Sequence, residues 1–156
     1  MNKDIIDYNE QIKKGHIQKA YRTIMGFMSA LKTHISKKFP NYLLTSLYPG
    51  YMDMTYFAIM SESLKKKQLK IAIVYLHEQN AFEVWLSGVN KNVQKKYVNQ
   101  LKDAPLKYKL SSAKPGVDSI LELRIIDNPD FDQAEKTYVI IENAVTRFMN
   151  EILSYL

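Results

Sequence analysis

Cysteine is absent from the 156 residues. Disulfides, thiolate zinc sites, iron–sulfur clusters and a cysteine nucleophile are therefore excluded, and a thiol-free chain suits a reducing compartment. Glycine is scarce too: the five glycines are scattered. They form neither a Gly-x-Ser-x-Gly turn nor a phosphate-cradling loop of the Walker or dinucleotide type, which argues against familiar nucleotide hydrolysis and nicotinamide binding. Arginine occurs only at Arg22, Arg124 and Arg147 among 22 basic residues. No apolar run nears the roughly 20 residues that a membrane-spanning helix needs. No N-terminal segment has the charged, apolar, small-residue layout of a signal peptide. The expectation is a cytoplasmic protein with no membrane partner.

What is present describes a folded domain. Apolar residues make up 46% and charged residues 24% of the chain, an ordinary globular balance. The length suits a single domain over residues 1–156, able to bury about two thirds of its unfolded surface without a metal or partner. The net charge of +6 favours an anionic partner through general attraction. A lysine-rich solubilising surface explains the same charge. Nucleic acid is possible but not favoured, because phosphate and base readers lean on the planar fork of arginine.

Periodicity orders the elements. Asn2 caps a short helix whose apolar residues are Ile5, Tyr8 and Ile12, and Gly15 breaks it. Ile17, Tyr21, Ile24, Met25, Met28, Leu31, Ile35 and Phe39 make one stripe of a long helix that Pro40 ends. Residues 41–50 read as a loop. Strands are expected over 51–59, 70–77 and 82–87, with a polar connection over 61–68 and a turn near Glu78 to Asn80. Asn90 caps a middle helix with Val93, Tyr97 and Leu101 on one side. A short strand over 106–110, a loop over 111–116 and an alternating strand from Val117 follow. Asp132 and Glu135 form a capping-box pair before a last helix with Tyr138, Ile141, Val145, Phe148, Ile152 and Tyr155 inward. The predicted class is α+β: a mostly antiparallel sheet of four to five strands, with the two terminal helices on one face and the middle helix on the other.

The chemistry-bearing residues are few. His16, His34 and His77 show no metal-ligand spacing, so no metal or cofactor is expected. If the hairpin turn spans Gln79 to Ala81, His77 faces Glu83 and Tyr75 faces Trp85. A carboxylate beside an imidazole raises its pKa and suits general acid–base work, although a cross-strand polar pair explains the same spacing. With Asp53, these residues form the candidate catalytic set Asp53, His77 and Glu83. The element order also resembles a metal-dependent nuclease core, which needs an acid on the second strand and Glu-x-Lys on the third. Here the third strand reads Glu83-Val84-Trp85 and the second has no acid, so the site departs from that pattern.

Aromatic residues are plentiful, with eleven Tyr and one Trp. Tyr51, Tyr56, Tyr75, Trp85 and Tyr97 are candidates to line a ligand pocket between sheet and middle helix. Their alternative role is in the core, with polar tips at its edge. Lys91 and Lys95, near Tyr97, are candidate contacts for an anionic ligand or stacked bases.

Several of these segments carry a family resemblance. The runs Tyr51 to Phe57, Leu69 to Tyr75 with His77 and Glu78, Phe82 to Gly88, Asn90 with Lys91, and Gln94 to Tyr97 resemble an uncharacterised bacterial family, domain of unknown function 7000. Lys19 to Arg22 and Gly116 to Ser119 extend the likeness nearly end to end. The resemblance implies a bacterial cytoplasmic protein and brings no established activity. The strand-and-helix layout also resembles accessory domains of restriction-endonuclease-related proteins.

Two functions follow from the residues. One is a non-catalytic binding or interaction module whose partner is a small molecule, a protein or an anionic species, using the sheet face of Asp53, Tyr75, His77, Glu83 and Trp85 together with the neighbouring middle helix. The other is a hydrolase or degenerate nuclease using Asp53, His77 and Glu83. Convergence of that trio in one pocket favours the enzyme. Its dispersal, or an ion pair with Lys70 or Arg124, favours the module. A third reading, a self-associating structural protein, calls for a broad apolar patch on an exposed helix face.

Overall fold

The computed structural model describes residues 2–111 and 116–156. The chain begins with α1 (Lys3–Lys14), capped by Asn2 and closed by Gly15 in the left-handed conformation. α2 (His16–Lys38) follows directly. Next come β1 (Leu43–Leu44), β2 (Met54–Met60), the short α3 (Glu62–Lys66), β3 (Leu69–Leu76) and β4 (Ala81–Gly88). α4 (Lys91–Leu101), β5 (Lys109–Leu110), β6 (Ser119–Asp127) and α5 (Ala134–Leu153) complete the order.

The class is α+β, as expected, but the sheet has six strands in the order β1-β2-β3-β4-β6-β5, all antiparallel. The extra strand is β1, a two-residue edge, while β5, the other two-residue edge, lies within the short strand expected over 106–110. β1 lies in the segment expected to be a loop, and the polar connection after β2 holds α3, whose cap is the Ser61 hydroxyl. Short edges limit pairing with other chains. The expected loop over 111–116 falls mostly outside the described residues.

One face of the sheet carries the main core. Phe57, Ile71, Ile73, Phe82, Val84 and Leu86 pack there against Met28, Leu31 and Ile35 of α2 and Ile141, Val145 and Phe148 of α5. The middle helix does not cover the other face. Val93, Tyr97 and Leu101 of α4 join this same core, since α4 packs on β4 and β6, the strands that α5 also covers. Two register shifts along β6 help. Ile120 is an extra residue in the ladder, so Ile120 and Leu121 are both buried in the core despite being neighbours.

Two helix expectations change. Asp130, not Asp132, supplies the side-chain cap, to a 3-10 turn over Phe131–Gln133, and α5 starts at Ala134 without a capping side chain. Tyr155 lies beyond α5 and is exposed rather than inward. α1 buries none of its side chains, leaving Ile5 and Tyr8 in solvent. No described helix is long and apolar enough to cross a membrane.

Candidate functional site

The hairpin register decides which side chains meet. Leu76 pairs with Ala81, so the loop holds four residues, His77 to Asn80, with Asn80 at a left-handed φ of 49°. Glu83 then faces Val74, and Trp85 faces Ala72. The expected pairs His77–Glu83 and Tyr75–Trp85 do not form, because the loop starts two residues before the turn assumed over Gln79 to Ala81 and ends one residue before it. The register moves by three residues, an odd number, and an odd shift exchanges sheet faces. Tyr75 lies in the helix-covered core with Phe82, while Trp85 lies on the open face. The expected single face bearing Asp53, Tyr75, His77, Glu83 and Trp85 is therefore split.

His77 belongs to the helix-covered side. Its ring stacks on Tyr21 of α2 at 6.3 Å and meets the edge of Tyr75 at 4.9 Å. Its Nε2 lies 2.8 Å from Thr55 Oγ1, and the Thr55 hydroxyl donates to the Pro49 carbonyl at 2.7 Å. That hydroxyl has one proton, so His77 Nε2–H is the donor to it. Burial pushes the His77 pKa down, and the Asp53 carboxylate offsets this only in part. The direction is opposite to that expected from a Glu83 neighbour, since Glu83 lies on the other face. Asp53 is exposed at the sheet rim. Its Oδ1 accepts the Tyr51 N–H at 2.9 Å, and backbone donors at Tyr51 and Met54 hold its carboxyl below the usual range.

Glu83 is buried and fully engaged. One carboxylate oxygen accepts from Trp85 Nε1 and the other from Arg124 Nε, each at 2.8 Å. Arg124 sits directly opposite on β6 and also holds Asp127 at 2.6 Å and the Gln79 side chain. Asp53, His77 and Glu83 thus do not converge. Among the described residues no group of three or more His, Asp or Glu side chains is placed to hold a metal.

The open face holds a pocket of about 180 Å³. Its floor is Ala72 opposite Trp85, with Tyr48 and Tyr56 as walls and Lys70, Ser87 and Asp118 at its margins. The loop before β2 builds one wall. Tyr48 bridges to Tyr56, and their rings lie 5.0 Å apart. Gly50, at φ 74°, makes the tight turn: a Cβ there would lie 1.9 Å from the Met54 carbonyl oxygen. Lys70 Nζ sits 5.8 Å from the Tyr56 ring centre. Burial raises the Tyr56 pKa, and electrostatic interaction with Tyr48 and Asp118 raises it further.

Of the residues singled out from sequence, Tyr56, Trp85 and Asp53 border this pocket. Tyr75 and Tyr97 are buried core residues rather than pocket walls, and Tyr97 has little exposed ring on which a base could stack. Tyr51 is 88% exposed on the rim loop. Lys91 donates to the Val117 carbonyl at 2.6 Å and to the Gln94 side chain at 3.2 Å, bracing the loop before β6. Lys95 is exposed on α4, away from the pocket. Sequence reasoning missed Tyr48, Lys70, Ser87 and Asp118. The available signal was Lys70, a charge inside an apolar strand on the same face as small Ala72.

A family model, "Domain of unknown function (DUF7000)", matches residues 1–156. The chain belongs to this family. No curated protein and no solved structure matches the sequence. In this DUF7000 chain the pocket on the sheet face opposite α2, α4 and α5 is therefore read from its own chemistry.

Proposed function

We propose that the protein is a non-catalytic module that binds a small organic molecule in the pocket bordered by Tyr48, Tyr56, Lys70 and Trp85. The observation that carries this reading is a concave aromatic site with charged groups at its margins, the usual composition of a small-ligand site. The state of the acidic residues supports it. Glu83, the best candidate base, is held by Trp85 and Arg124, and His77 faces the opposite side. A general base must reach the substrate's proton directly or through one water. The family likeness also suggests that the module works in a bacterial cytoplasm.

Trp85 is the sole tryptophan and borders the pocket, so its fluorescence reports occupancy directly. A panel of amino acids, carboxylic acids, amines, sugars, nucleotides and divalent metals is titrated against the full chain, with melting temperature read in parallel. The expected result is a change in Trp85 emission and a higher Tm with one organic class, both lost in Tyr56→Ala. A ligand that binds only the folded form raises Tm by mass action. A Tm rise with divalent metal that Asp53→Ala and Glu83→Ala abolish would establish the enzyme reading instead.

A further inference from the structure

The pocket margins hold two opposite charges that do not pair with each other. Lys70 and Asp118 both border the pocket, and both act on Tyr56: the Lys70 ammonium lies over its ring, and the Asp118 carboxylate lies within electrostatic reach of its hydroxyl. The described ion pairs are His34–Glu142, Arg124–Glu83 and Arg124–Asp127, so neither Lys70 nor Asp118 joins one. Their charged atoms are therefore more than 4.0 Å apart.

The neutral groups are arranged to match. Ser87 faces Lys70 across the β3–β4 pair; it is 3% exposed, borders the pocket, and its hydroxyl makes no hydrogen bond to a described residue. A lysine ammonium and a hydroxyl side by side form a donor pair for a carboxylate. Asp53, the other acid at the rim, accepts the Tyr51 backbone N–H, which leaves Asp118 as the acceptor for a ligand cation. Between the two charged ends lie Tyr48, Tyr56, Ala72 and Trp85, an apolar and aromatic middle. The volume of about 180 Å³ is near that of cavities of about 150 Å³ that admit one benzene ring.

We propose that the pocket takes a small zwitterion of the α-amino-acid class, its carboxylate at Lys70 and Ser87, its ammonium at Asp118, and an apolar body no larger than one ring against Trp85 and Tyr56. This rests on the binding-module reading and names the ligand class for the same pocket. A ligand with both charges satisfies Lys70 and Asp118 together. A simple acid leaves Asp118 unmatched, and a simple amine leaves Lys70 unmatched. Unmatched charge beside a bound ligand is costly, which is the basis of discrimination between close analogues.

The test uses the full chain, Trp85 emission and isothermal titration calorimetry. The probes are L-phenylalanine, L-leucine and L-methionine, with 3-phenylpropanoate (no ammonium) and phenethylamine (no carboxylate) as single-charge analogues. At least one amino acid is expected to bind and change Trp85 emission, with each single-charge analogue about tenfold weaker or worse, as loss of one charge-assisted hydrogen bond requires. Lys70→Met is expected to remove the preference for L-phenylalanine over phenethylamine. Asp118→Asn is expected to remove the preference over 3-phenylpropanoate, and its near-identical shape keeps the fold intact. Equal binding of 3-phenylpropanoate and L-phenylalanine, unchanged in Asp118→Asn, overturns the zwitterion but leaves the binding module standing. Binding of a sugar or nucleotide in the pocket, with none of the amino acids, does the same. Unchanged Trp85 emission with every probe and every panel compound removes both.

Discussion

The Trp85 indole N–H donates to the carboxylate of Glu83, two residues earlier on the same strand, at 2.8 Å. The indole and the acid share the open sheet face because strand side chains alternate. This bond fixes the ring that floors the pocket, and the guanidinium of Arg124 on β6 holds the other Glu83 oxygen. A residue that looked catalytic in the sequence thus acts as a strut beside the pocket.

Glu83→Ala is expected to destabilise the fold by about 1–3 kcal/mol, since it strands a buried indole N–H and removes the carboxylate from Arg124. The upper part of the range for buried pairs does not apply, because the Arg124 side chain is 35% exposed. Urea unfolding checks this: the midpoint falls with an unchanged m-value. Trp85 emission is expected to move as its hydrogen bond disappears. A midpoint within error of the parent would show that the Glu83 strut does not matter.

The His77–Thr55–Pro49 chain makes stability depend on pH. The folded His77 pKa lies below the ordinary 6.5, mainly through burial. The unfolded state therefore binds more protons in that window. The His77 contribution is full above pH 6.5 and is lost as pH falls from there through the lowered folded value. His77→Gln is expected to flatten the slope of urea midpoint against pH below neutrality, compared with the parent. An NMR titration of the imidazole is expected to show a depressed midpoint and the Nε2–H tautomer. A raised midpoint would contradict the structure.

Gly50→Ala tests the wall that Tyr48 builds. The new Cβ would meet the Met54 carbonyl oxygen at 1.9 Å, in a backbone conformation that L side chains rarely adopt. Backbone cannot yield as a flexible side chain can. A loss of more than about 1 kcal/mol is expected, together with loss of ligand-induced Trp85 quenching even where the folded fraction is complete. An unchanged melting temperature would mean that the 48–53 loop sits differently.

Removal of residues 1–14 is expected to cost less than about 1 kcal/mol, since α1 has no buried side chain. The contacts that break are few: Gln18 loses its hydrogen bond to the Ile12 carbonyl, and the Gly15 N–H loses the same acceptor. Chemical denaturation of the shortened chain measures this directly. A large drop in midpoint would show that Ile5, Tyr8 and Ile12 are covered in solution, by a second copy or another partner.

Much of this architecture was legible because it is local. The stripe Met28, Leu31 and Ile35, the capping by Asn2 and Asn90, and the breaks at Gly15 and Pro40 depend on near neighbours in sequence, and they appear as read. The β-branched run of β3 and the alternating order of β4 likewise marked them as strands. The candidate site was legible only in pieces. Tyr56 and Trp85 were visible as aromatic residues in strands, whereas Tyr48 and Asp118 come from loops whose path no local pattern encodes.

The amino-acid order alone determined where the long helices and the central strands form, since caps, breakers and periodicity act over a few residues. Only the folded chain decided which strand residues face each other. A hairpin loop of four residues rather than three sets the register of β3 against β4, and with it the side of the sheet that each group occupies. That choice separated His77 from Glu83, gave Glu83 to Arg124, and left Trp85 beside Lys70 and Asp118 on the face opposite α2, α4 and α5. Such pairings are set by packing between residues distant in sequence, and only the sum of those contacts selects among registers that are locally equivalent.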